Sequence, residues 1–182
     1  MLNKIEIKPN TYIYIVLLLF LVPMKWLMAW LIAAGFHEMC HWLAVKICGG
    51  DAYRIVVGIS GAKMECGPMS NPRRLFCVLS GPIGGMIPVL FSKWIPCTAL
   101  CCWLLSVYNL LPLAHLDGGR ILEILLRTKA TVVQNVFLIG VSVSAIYVTF
   151  VWGFGVLPMG IVAFLWLKNR NTPCKPGVSK VQ

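Results

Sequence analysis

From Trp26 to Ile47 the chain is apolar except at Lys46 and where His37-Glu38-Met39-Cys40-His41 spells HExxH. A run of this length and composition reads as a helix, and on a helix residues i and i+4 share one face. The imidazoles of His37 and His41 therefore project together and can grip one metal ion. Glu38 stands beside them, where a carboxylate can take a proton from an attacking water. Ionisable side chains at membrane depth are costly and mark functional sites. The competing reading is two histidines satisfied inside a packed membrane core.

That the surroundings are membrane follows from composition. Of 182 residues, 59% are hydrophobic, above the usual share in soluble domains, and most lie in long stretches without charge. The expected fold is an all-α polytopic membrane protein of about six transmembrane helices. Pro, Gly and charge punctuation place the spans near Thr11–Pro23, Trp26–Ile47, Leu75–Phe91, Cys97–Leu111, Thr131–Phe150 and Gly155–Leu167. Lys4 and Lys8 before Tyr12–Val22 raise the question of a signal peptide. Small residues suited to cleavage come only at Ala33-Ala34-Gly35, inside the motif helix, so the segment is kept as a first span.

With six spans and both termini cytoplasmic, only Lys25 and Lys93 of the 16 basic residues fall on the outer side, as the positive-inside rule asks. A multi-pass protein of the cell membrane is the expectation. The net charge of +10 is then explained by anionic lipid, and no nucleic-acid partner is required. The same orientation puts the motif roughly 12 to 18 Å below the cytoplasmic end of its helix, so water needs a route inward.

A catalytic zinc with two histidines needs a third protein ligand and one open position. Asp51, Glu65, Glu123 and Asp117 are the candidates. Asp117 stands out in Asn109-Leu110-Leu111-Pro112-Leu113-Ala114-His115-Leu116-Asp117-Gly118-Gly119, where Pro112 interrupts the helix and the glycine pair allows tight turns. Spacing leaves two readings of Asp117 open, metal ligand or N-cap of the amphipathic segment that follows. His115 reads as a neighbour of the site rather than a ligand. The eight cysteines form no CxxC pair and read as small packing residues. Tryptophans and tyrosines at span ends read as interfacial anchors.

HExxH on an early span followed by NxxPxxxxDG on a later one resembles the site-2 protease family of intramembrane zinc metalloproteases. Ser80-Gly81-Pro82 and the polar region after the motif helix add to the likeness. A layout with no inserted PDZ domain is similar to the branch of the sporulation sigma-factor processing protease, although no CBS domain follows here. Glycine also stands in Ser80–Gly85 where many relatives have asparagine. The resemblance covers about residues 11–167. It implies that residues 1–167 form an intramembrane metalloprotease domain and 168–182 a basic cytoplasmic tail. It implies one zinc ion per chain on His37, His41 and Asp117, with Glu38 as general base and Asn109 orienting substrate or stabilising the oxyanion. Residues Tyr53–Cys66 resemble a short membrane-associated β-hairpin after the second span, whose edge could pair with an extended peptide. The implied substrates are membrane-embedded or membrane-tethered proteins, a sigma-factor precursor or an anti-sigma factor among them. A catalytically silent relative acting as a membrane chaperone or assembly factor is the alternative, disfavoured by retention of every implied ligand and of Glu38.

Overall fold

The computed structural model describes residues 5–7, 22–50, 52–58, 61–151, 156–170 and 180–181. Two compact units are present, Met1–Leu110 with Gly177–Gln182, and Leu111–Pro176.

In the first unit, helix α1 (Met24–Ile47) packs against α2 (Asn71–Gly85) and α3 (Pro96–Asn109). Ala29, Ala33, His37, His41 and Val45 recur every four residues along α1, and all are buried. That spacing keeps them near one stripe of the helix. The small side chains let the neighbours approach: Ala29 and Ala33 meet Cys101 and Cys102 of α3, while Ala44 and Val45 meet Cys77 of α2. The histidines thus occupy the middle of the packing stripe. The other flank of α1, with Met28, Leu31, Ile32, Met39, Leu43 and Ile47, is exposed. A 3-10 turn over Ile87–Phe91 links α2 to α3.

The strands of this unit are β1 (Ile5–Ile7), β2 (Ala52–Gly58), β3 (Gly61–Cys66) and β4 (Lys180–Val181), arranged in that order in one sheet. β1 runs parallel to β2, β2 and β3 are antiparallel with Gly58 opposite Gly61, and β4 pairs antiparallel with Met64 and Glu65.

In the second unit, α4 (Asp117–Leu126) leads through a 3-10 turn at Arg127–Lys129 into α5 (Ala130–Val151), and α6 (Leu157–Arg170) packs on α5. Its core joins Leu113, Leu116 and Leu138, with Phe137 and Leu165 against them.

The expected all-α fold with six spans and a short hairpin is corrected on both counts. In place of an isolated hairpin there is a four-stranded sheet, so β2 and β3 are interior strands and the edges belong to β1 and β4. Among the described residues two helical stretches are long and apolar enough to cross a membrane, Asn71–Phe91 and Asp117–Val151. The reasons are physical. The 24-residue α1 has the length, but two histidines, a glutamate and three tryptophans lower its mean hydropathy. At 14 residues each, α3 and α6 span about 21 Å, short of a bilayer core of about 30 Å. The helix expected from Thr131 is α5, which starts at Ala130, and the 35-residue stretch Asp117–Val151 joins it to the amphipathic α4 through the 3-10 turn. The expected span at Thr11–Pro23 lies almost wholly outside the described residues. The sorting of basic charge, which needed six spans, loses its basis with them.

Candidate metal centre

The local geometry of α1 turns two imidazoles toward each other. Nε2 of His41 lies 3.2 Å from Nε2 of His37, with the rings edge to face. Nδ1 of His41 is 2.7 Å from the carbonyl oxygen of Cys77 on α2. A carbonyl can only accept, so this nitrogen carries the proton and donates it, which leaves the lone pair on Nε2. The tautomer of His41 is therefore set for ligation by the main chain of a neighbouring helix. Two nitrogens bound tetrahedrally to zinc at about 2.0–2.1 Å stand about 3.4 Å apart, close to the separation seen here.

Cys77 is held in turn by Ser80, whose Oγ lies 2.7 Å from the Cys77 carbonyl oxygen and 3.2 Å from that of Cys40 on α1. Gly81 then lies directly under the His41 ring. A β-carbon built on Gly81 would collide with the imidazole at Nε2, Cε1 and Cδ2. Four residues on, a β-carbon on Gly85 would lie 2.6 Å from Ser106 Oγ and 3.4 Å from His37 Nδ1. The two glycines therefore let α2 reach the two imidazoles, one each. Cys40 points elsewhere, onto Gly84.

Asp117 is the first residue of α4, 2% exposed, and the N-cap position belongs to Leu116. The structure thus removes the N-cap reading that spacing left open. A carboxylate in the first turn is favoured by the positive end of the helix dipole. Gly118 and Gly119 are helical, with negative φ, and do not form the expected tight turn. Gly119 is needed for close approach, since a β-carbon there would run into the carbonyl oxygen of Leu113. The loop before α4 is further tied down by Asn169 of α6, whose Oδ1 accepts the Ala114 N–H at 3.1 Å.

His37 and His41 lie on α1, Asp117 opens α4, and all three residues are buried. They form a group that could hold a metal ion, the one such group among the described residues. Glu38 is half-buried on α1 beside the pair. Asn109 ends α3, and its Nδ2 donates to the Leu105 carbonyl oxygen at 3.0 Å, so one of its two N–H bonds is spent on its own helix. His115 is buried in the loop before α4 and stays outside the group, as does Glu123 on α4, while Glu65 falls on β3. Asp51 lies outside the described residues. Cys40, Cys48, Cys77, Cys97, Cys101 and Cys102 are in no disulfide among the described residues, and Cys77, Cys101 and Cys102 serve as small core residues.

Sequence reasoning did not find the parts played by the Cys77 carbonyl, Gly81, Gly85 and Asn169. Only the glycine pair left a signal, two residues without side chains at i and i+4 in one helix.

The fold is similar to that of a solved structure, the Site-2 Protease from Methanocaldococcus jannaschii. The TM-score is 0.63 at 16% identity, and the match covers 96% of this chain and 92% of that one. No family model matches the chain, and no curated protein matches it in sequence.

Proposed function

We propose that this chain is an intramembrane zinc endopeptidase. The observation that carries the reading is the buried group of two imidazoles and one carboxylate on a fold similar to that of a site-2 protease. The donor set suits zinc: two neutral nitrogens and one oxygen leave a fourth position open. An apolar exterior, including the exposed flank of α1, supports a membrane setting.

His37, His41 and Asp117 would hold the metal. When bound, zinc supplies a Lewis acid that polarises the scissile carbonyl and makes water a competent nucleophile near neutral pH. The remaining chemistry belongs to the chain. Glu38 removes the proton from the attacking water and returns it to the leaving amine. His41, fixed by Cys77, keeps its lone pair aimed inward without reorganisation. Asn109 has a second amide N–H with which to orient substrate or steady the developing oxyanion. The substrates in this reading are membrane-embedded or membrane-tethered proteins, in the manner of sigma-factor precursors or anti-sigma factors. Their helices must unwind locally, because a hydrogen-bonded helix shields its carbonyls from attack.

The test uses the full chain purified in detergent and reconstituted with single-span reporter proteins. One zinc per chain and reporter cleavage are expected for the wild type. Glu38→Gln should keep the zinc and lose cleavage by several orders of magnitude. Turnover retained in Glu38→Gln would remove the assignment of the base. A folded wild type that takes up no stoichiometric zinc would overturn the protease reading itself.

A further inference from the structure

One hydroxyl near the metal centre is left over. Ser106 on α3 is fully buried, at 0% exposure, and its Oγ makes no hydrogen bond among the described residues. Serines in helices commonly bond back to a carbonyl one turn earlier. Elsewhere in this chain they do so: Ser142 donates to Leu138, Ser144 to Gly140 and Ser80 to Cys77. Ser106 departs from that habit, and its Oγ is turned instead toward Gly85, where His37 Nδ1 also lies.

The orientation of His37 gives this departure a meaning. Its Nε2 faces His41, so its Nδ1 faces away from the ligand side, toward α2 and α3. A metal-bound imidazole presents N–H at the opposite nitrogen, and that N–H needs an acceptor to fix ring and tautomer. For His41 the acceptor is the Cys77 carbonyl. We propose that Ser106 is the positioning residue of His37: its Oγ accepts the His37 Nδ1–H in the metal-loaded protein, directly or through one water. Gly85 is what makes this possible. Any side chain there would fill the space that Oγ and Nδ1 share, since even a β-carbon would press on Oγ at 2.6 Å. Each histidine is thereby held from its own neighbouring helix, His41 by α2 and His37 by α3. The inference rests on the metal-site reading above and adds a residue that neither motif contains.

The experiment loads the detergent-purified full chain with Co2+ or Zn2+ alone. Zinc affinity is read by competition with a chelating dye. The exchangeable imidazole N–H protons of the Co2+ form are read by paramagnetic NMR. The wild type should show two slowly exchanging N–H signals. Ser106→Ala should bind zinc about tenfold to a hundredfold more weakly. It should lose or shift one N–H signal, that of His37, and keep the other. Ser106→Thr, which retains a hydroxyl, should restore affinity and signal, which a purely packing role would not produce. Should Ser106→Ala fail to fold, Ser106→Cys carries the comparison, with a weaker acceptor of similar size. Wild-type affinity together with two unchanged N–H signals in Ser106→Ala overturns the assignment. A wild type that binds neither ion overturns the metal site first, and this proposal with it.

Discussion

A single methyl group on Gly81 puts the site's architecture to a quantitative test. In Gly81→Ala the new β-carbon would lie 2.8 Å from His41 Cδ2 and closer still to Nε2 and Cε1. Relaxed carbon contacts are about 3.5–4.0 Å, so the ring or α2 must give by roughly an ångström. Metal–nitrogen bonds tolerate errors of only about 0.2 Å, so the ring cannot move that far and stay a good ligand. Replacing glycine within a helix gains about 0.5–1 kcal/mol, and overpacking costs about 1–3 kcal/mol. The net effect on stability is therefore a loss of about 0–2.5 kcal/mol. We expect zinc affinity, measured by chelator competition in detergent, to fall at least tenfold while the thermal transition moves by a few degrees. Gly35→Ala is the control. It lies on the same helix as both histidines, two residues before His37, and a β-carbon there meets nothing within 4 Å. It should bind zinc as the wild type does and be equally or more stable. Wild-type zinc affinity in Gly81→Ala would refute the close packing of His41 on α2.

Two further outcomes are expected. Asp117→Ala should abolish stoichiometric zinc uptake, as should His37→Ala, and zinc retained at one per chain in Asp117→Ala would exclude the carboxylate from the ligand set. Asn169→Ala removes the acceptor of the Ala114 N–H and should cost about 1 kcal/mol, read as a fall in Tm of about 2–4 °C, with no change in Tm refuting the clasp on the loop before Asp117.

What could be read along the chain and what could not divides by range. The pairing of His37 with His41 is local, because helix geometry alone puts i and i+4 on one face. The helix α1 and the apolar exterior were likewise legible from periodicity and composition. The number of membrane-crossing helices was not. Apolar runs show where the chain avoids water, but whether a run becomes a 14-residue helix, as at Pro96–Asn109, or part of a 35-residue stretch, as at Asp117–Val151, depends on where helices stop. Pairing of Ile5–Ile7 and Lys180–Val181 with strands some 50 and 115 residues away in sequence was equally invisible, since each is too short to carry a pattern of its own.

By itself, then, the sequence determined the chemistry on offer: two imidazoles at helical spacing, a carboxylate beside them, a second carboxylate behind a proline-interrupted helix, and an apolar setting for all of it. Tertiary structure decided how those groups are held. Which nitrogen of His41 keeps its lone pair depends on a main-chain carbonyl 36 residues away, and how closely α2 approaches the rings depends on Gly81 and Gly85. A tautomer is chosen by whichever acceptor reaches the opposite nitrogen, and only the packed helices bring that acceptor within 2.7 Å.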